Sequence, residues 1–180
     1  RAVEKIQNRE SRVQSWFLDM NLVMGYWGDG ATRAYHHTAP VTSLYALHEA
    51  LILLREEGLK NAWKRHERHH LALRAGLDSL GLELVVDESV RLPQLNAVAS
   101  PQGVDEAAVR KALLARYSLE IGAGLGGFAG KLWRIGLMGY ACNERNVRLC
   151  IQALEATLAS MGGRVEPGSG SAAVNAFYKD

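Results

Sequence analysis

Apolar residues recur at helical spacing between Val41 and Glu57, where Leu44, Leu47, Leu51 and Leu54 fall along one side of a helix. Pro40 suits its first turn and Gly58 punctuates its end. A longer helix is predicted from Leu59 to Leu80, stopped by Gly81, with a length that suits a connector between domains. Beyond it the period changes. Leu82–Val86 and Leu95–Ala99 read as strands, and Asp105 N-caps a helix through Arg116. Leu119–Ile121 and Leu132–Leu137 read as strands around a glycine-rich turn, and Asn143 caps a last helix to about Met161. The order β-β-α-β-β-α predicts an α+β unit, a small sheet covered by helices on one face. At the start, Arg1–Ile6 is polar and helix-like, and residues 12–30, with Trp16, Phe17, Tyr26 and Trp27, read as a packed loop and extended segment. Gly162–Asp180 is rich in Gly, Ser and Ala and is expected to be a mobile tail.

The length of 180 residues fits one domain, or a small domain plus part of another. Hydrophobic residues at 48% and charged residues at 22% suit a globular chain with a core. Lys+Arg 21 against Asp+Glu 19 leaves a formal charge of +2, too balanced to argue for nucleic acid or an acidic membrane surface. No apolar run approaches the roughly 20 residues of a membrane span. Cys142 and Cys150 stand eight apart in a helical pattern, about 12 Å along the axis and too far to bridge. Two unpaired thiols suit a reducing cytoplasm. There is no initiator Met and no signal peptide, so the chain reads as cut from something longer.

Several motifs bear on chemistry. His66-Glu67-Arg68-His69-His70 satisfies H-E-x-x-H, which puts two imidazoles on one helical face beside a glutamate and raises a zinc site as one reading. Against it, the segment is charged at almost every position, and His70 is the last histidine, so no downstream His supplies a third ligand. Gly122-Ala123-Gly124-Leu125-Gly126-Gly127 matches G-x-G-x-x-G, but a strand rather than a helix follows, so a flexible turn is the better reading. Gly130-Lys131 lacks the remaining phosphate-loop residues. Tyr35 and Thr38 place two hydroxyls three residues apart just before a helix start, where they can converge on a phosphate. Thr38 as N-cap with Tyr35 packed is the competing reading. Arg134 lies inside the apolar run Leu132-Trp133-Arg134-Ile135-Gly136-Leu137. A guanidinium there calls for a planar anionic partner, either an internal carboxylate or a ligand carboxylate.

Two of these segments carry a family resemblance. Arg33-Ala34-Tyr35-His36-His37-Thr38-Ala39-Pro40-Val41-Thr42-Ser43-Leu44-Tyr45-Ala46-Leu47 resembles the stretch beyond the cofactor lysine in alanine–glyoxylate and serine–pyruvate aminotransferases, which are class V, pyridoxal-phosphate-dependent enzymes of fold type I. Glu120-Ile121-Gly122 through Gly126, then Gly130-Lys131-Leu132-Trp133-Arg134-Ile135-Gly136-Leu137-Met138-Gly139, resembles that family's substrate-carboxylate segment.

The resemblance implies that Tyr35 and Thr38 bind the phosphate of pyridoxal 5'-phosphate held mainly by the other subunit of a homodimer. It implies that Arg134 clamps the α-carboxylate of small amino acid and oxo acid substrates. Residues 1–57 are then the end of the large cofactor-binding domain, 58–163 the small domain with its long connecting helix, and 164–180 a flexible tail. The family's Schiff-base lysine is expected upstream of Arg1, so the chain holds no catalytic residue and is expected to be inactive alone. The intact protein is expected to move an amino group from alanine or serine to glyoxylate or pyruvate in the cytoplasm, since the chain does not end in a peroxisomal tripeptide. Phe128 and Ala129, in the turn before Arg134, are positions where donor preference is expected to vary. The alternative is a non-catalytic module that dimerises or binds an anion.

Overall fold

The computed structural model describes residues 1–26 and 35–179. Trp27, Arg33 and Ala34, named above, lie outside the described residues. The chain divides into two compact units, 1–56 and 57–180.

The first unit begins with α1 (Ala2–Gln7). The segment expected to be loop and extended chain instead makes short helical turns: a 3-10 turn at Trp16–Leu18, α2 (Met20–Val23) and a second 3-10 turn at Met24–Tyr26. Asp19 explains the start of α2, because its carboxylate accepts from Asn21 N–H at 2.9 Å. Asn21 Nδ2 in turn donates to Ile6 O and ties α1 to α2. After Pro40 comes α3 (Val41–Glu57), with the predicted boundaries. Its Leu44, Leu47 and Leu51 are exposed in this chain.

Just inside the second unit, Gly58 has a φ of +82°, open to glycine at little cost, and ends one helix while starting the next. The long helix follows as α4 (Leu59–Ser79). The sheet is antiparallel and three-stranded, in the order β1 (Leu95–Ala99), β3 (Leu132–Gly136), β2 (Gly122–Ala123). The helices α5 (Glu106–Tyr117) and α6 (Glu144–Ser160) carry the predicted caps. Asp105 accepts from Ala107 and Ala108 N–H, and Asn143 accepts from Asn146 N–H.

Two predicted strands are corrected. Leu82–Val86 makes only a single bridge, Leu84 to Val98, flanked by Val85 N–H to Ala97 O and Ala99 N–H to Glu83 O. The chain then turns away, because the Arg91 guanidinium donates to Val86 O and Asp87 caps the turn at Glu88–Val90. Leu119–Ile121 is not a strand either. Ser118 takes a left-handed φ of 51° to end α5, Ile121 drops into the core, and pairing with β3 starts only at Gly122.

The core lies between the helices and one face of the sheet. Leu73 and Leu77 from α4, Val109 and Leu113 from α5, and Val147, Ile151, Leu154 and Leu158 from α6 meet Val98, Trp133 and Ile135. Alternation along β3 sends Trp133 and Ile135 inward and leaves Arg134 on the other face, as the single-sided covering requires. Trp133 satisfies its indole by donating to Glu106 O at 3.1 Å.

The expected mobile tail is the largest correction. Ser169–Lys179 is a helix, α7, with Val174 fully inside the core. Glu155 of α6 accepts from Gly168 N–H, Ser171 N–H and the Ser171 hydroxyl, which satisfies donors at the start of α7. Gly76 lets α4, α6 and α7 approach closely, since a methyl there would stand 2.7 Å from Ile151 Cγ1 and 2.8 Å from Val174 Cγ2.

Candidate functional site

Arg134 stands on the central strand, opposite Ala97 of β1 and Gly122 of β2. Both neighbours are small, so the guanidinium lies along the sheet; a methyl at Gly122 would come within 3.3 Å of Arg134 Nη2. Nε donates to Ala123 O at 2.7 Å, which fixes the plane of the group. Among the described residues no carboxylate forms an ion pair with Arg134. Of the two readings open from sequence, an internal partner finds no support. A half-buried guanidinium anchored through Nε keeps its Nη edge as a planar pair of donors, a geometry suited to a carboxylate.

The loop beyond β3 is held by a second arginine. Arg65 of α4 makes a bidentate pair with Glu57, at 2.5 and 2.8 Å, and its Nη1 donates to Gly139 O and Cys142 O. The hydrogen bond and charge of Arg65 lower the Glu57 carboxyl below its ordinary value, and Glu57 raises Arg65. Nothing in the spacing of Glu57 and Arg65, eight apart across a glycine, announces this arrangement.

In the first unit the Tyr35 hydroxyl and Thr38 Oγ1 are 2.5 Å apart and exposed, so the structure brings the two predicted hydroxyls together. The two hydroxyls share one hydrogen bond, beside the N-terminal end of α3. Two hydroxyl donors at a helix start are a donor set suited to a phosphate. Between them, His36 is buried against Trp16, with tilted rings whose centroids are 4.0 Å apart, and His37 packs on Phe17 with centroids 4.4 Å apart. The imidazoles meet through Nδ1 atoms 2.7 Å apart.

The H-E-x-x-H residues serve the helix and the core. His66 Nδ1 donates to Ala62 O one turn back, and Glu67 is exposed. His70 is buried, its Nδ1 donating to Asn96 Oδ1 at 2.6 Å. The fully buried Asn96 completes the network by donating to Ile135 O and Pro93 O. No cluster of three or more His, Cys, Asp or Glu is placed to hold a metal among the described residues.

Burial lowers the pKa of His70 below its ordinary 6.5, with the Asn96 bond opposing the shift. A depressed imidazole favours the neutral form in the fold. Its stabilisation is full above the unfolded value and lost as pH falls below it towards the folded one. His69 shifts the same way, again chiefly by burial. Denaturant titrations between pH 7 and 5 should show stability declining with acid, and His70→Gln should flatten that decline. An unchanged slope would remove His70 as a contributor.

Both cysteines are free and buried. Only Cys150 belongs to α6; Cys142 precedes its cap, contrary to the shared helical pattern read from sequence. Burial pushes the Cys150 thiol up to about 12, which makes it inert as a nucleophile at neutral pH.

The fold is similar to part of several solved aminotransferases. The crystal structure of ureidoglycine–glyoxylate aminotransferase from Bacillus subtilis matches 99% of this chain with a TM-score of 0.89 and 38% identity, this chain covering 46% of that one. Alanine–glyoxylate aminotransferase from Nostoc sp. matches 87% of the chain with a TM-score of 0.79 and 48% identity, over 41% of its own length. No family model matches the chain. Among curated proteins, alanine–glyoxylate aminotransferase of Callithrix jacchus is 43% identical over 159 residues, 87% of this chain and 38% of its own length. The (S)-ureidoglycine–glyoxylate transaminase of Bacillus subtilis is 39% identical over 168 residues, 93% of this chain and 40% of its own. The chain thus spans about 40% of the length of these relatives. It is homologous to the C-terminal portion of class V aminotransferases, the alanine–glyoxylate and ureidoglycine–glyoxylate group.

Proposed function

We propose that this chain is the C-terminal part of a pyridoxal-phosphate-dependent aminotransferase that moves an amino group from alanine or serine to glyoxylate or pyruvate. The observation that carries the reading is Arg134: a guanidinium on the uncovered face of a sheet, anchored through Nε, with no carboxylate of its own among the described residues. Homologues at similar identity whose names specify glyoxylate as a substrate support the acceptor class.

In this reading Arg134 binds the substrate carboxylate through its Nη edge and so sets the direction of the Cα–H bond. That is a positioning effect, not a chemical one. Tyr35 and Thr38 donate their hydroxyls to the cofactor phosphate across the interface of a homodimer. Pyridoxal phosphate, when bound, supplies the electron sink for amino transfer. None of Lys5, Lys60, Lys64, Lys111, Lys131 and Lys179 stands in the family's cofactor-lysine context, so that lysine is assigned outside this chain, and the chain alone is predicted inactive. The exposed Leu44, Leu47 and Leu51 of α3 support a larger folded context. The two free thiols are compatible with a cytoplasmic setting.

The test is made on the full-length protein. Titration with pyridoxal phosphate should produce a visible chromophore, and alanine with glyoxylate should give pyruvate and glycine. Combined Tyr35→Phe and Thr38→Ala substitution should weaken cofactor binding roughly 10- to 100-fold, the effect of losing two hydroxyl contacts to a charged group. A full-length protein that binds no cofactor, or a double variant with unchanged affinity, would sink the corresponding part of the proposal.

A further inference from the structure

The backbone joining Tyr35 to Thr38 is held by one atom. The hydroxyl of Tyr26, at the end of the second 3-10 turn, accepts from His36 N–H at 2.6 Å and from His37 N–H at 2.9 Å. The same hydroxyl donates to His37 O at 3.0 Å. A phenol has two acceptor lone pairs and one donor, and here all three are used. The side chains of the same dipeptide are gripped separately, His36 by Trp16 and His37 by Phe17. The backbone is therefore fixed by Tyr26 and the rings by the Trp16–Phe17 turn.

Tyr35 and Thr38 flank this dipeptide on either side, and their hydroxyls meet at 2.5 Å. Their separation is set by the φ and ψ angles of residues 36 and 37. Without an external tie, those angles would be free to move two hydroxyls that must face one anion together. We propose that Tyr26 is a positioning residue for the cofactor phosphate: it does not touch the ligand, but locks the 36–37 backbone so that Tyr35 and Thr38 present a preformed pair of donors. This inference rests on the phosphate role proposed above for those two residues. Its energetic content is preorganisation, since a loop ordered before binding does not lose that freedom on binding.

A phosphate-specific readout separates this role from general support of the fold. The full-length Tyr26→Phe protein removes one oxygen and keeps the ring. Its apo form is titrated in parallel with pyridoxal phosphate and with pyridoxal, which lacks the phosphate. The expected result is about tenfold weaker binding of pyridoxal phosphate, with pyridoxal affinity unchanged. Equal weakening of both ligands, or no change in either, would overturn the positioning role. The Tyr35→Phe, Thr38→Ala protein, run alongside, tells the two failures apart. If it keeps the wild-type preference for the phosphorylated ligand, the phosphate role of Tyr35 and Thr38 fails. If it loses that preference while Tyr26→Phe retains it, only the inference about Tyr26 fails.

Discussion

Replacing Arg134 by alanine in the full-length protein should raise KM for both the amino acid and the oxo acid and lower kcat/KM by about 10²–10³-fold. The magnitude follows from losing a bidentate, charge-assisted contact in a partly desolvated site, roughly 3–4 kcal/mol of differential binding. Both substrates should suffer because both carry the same carboxylate. Lysine should restore little, because an ammonium cannot reproduce the planar fork. The thermal midpoint should barely move. Arg134 lies on the face of β3 away from the core, and its one internal bond is to Ala123 O. Steady-state kinetics with circular dichroism on the same preparations check both halves. Normal kinetics would remove the carboxylate role, and a collapsed fold would make Arg134 structural.

Val174→Asp should destabilise the second unit by more than roughly 3 kcal/mol. Removing a buried valine forfeits about 1.5 kcal/mol or more of burial. The introduced carboxylate adds the cost of a charge in a site with no partner. Val174 lies within van der Waals reach of the Gly76 crossing, so the new group cannot turn to solvent without lifting α7 off α4 and α6. Ala176→Asp, at an exposed position on the same helix, is the control and should change stability little. Equal denaturation midpoints for the two variants would restore the mobile tail that composition suggested.

That contrast shows what periodicity carries and what it misses. The helices α3 to α6 were legible because each has an apolar stripe and a recognisable end: Pro40 and Gly58 for α3, Asp105 for α5, Asn143 for α6. The segment Ser169–Lys179 has a weak stripe of small residues, and its helix depends on a carboxylate of α6, Glu155, acting from 13 and more positions away. Such a tertiary cap leaves no local signature. β2 is similar: Gly122 and Ala123 have low strand propensity and pair only because β3 is already beside them. At the site, Tyr35 and Thr38 were visible from their spacing, and the structure joins their hydroxyls. Arg134 was visible as a misplaced charge, but only the geometry shows that no carboxylate among the described residues pairs with it. Tyr26 was invisible in its role, because its bonds go to main-chain atoms ten and eleven residues on.

The single-sided covering of the sheet also bears on how this protein can change over generations. The inward residues of β1 and β3, Val98, Trp133 and Ile135, answer to packing and tolerate little. Their neighbours Ala97 and Gly136 lie on the same face as Arg134, and exchanging them opens no cavity in the core. Core packing and the surroundings of Arg134 are thereby written on opposite sides of the same strands. If the proposed carboxylate role of Arg134 holds, a lineage built this way can drift towards a new amino donor by substitution on one side while selection for folding acts on the other.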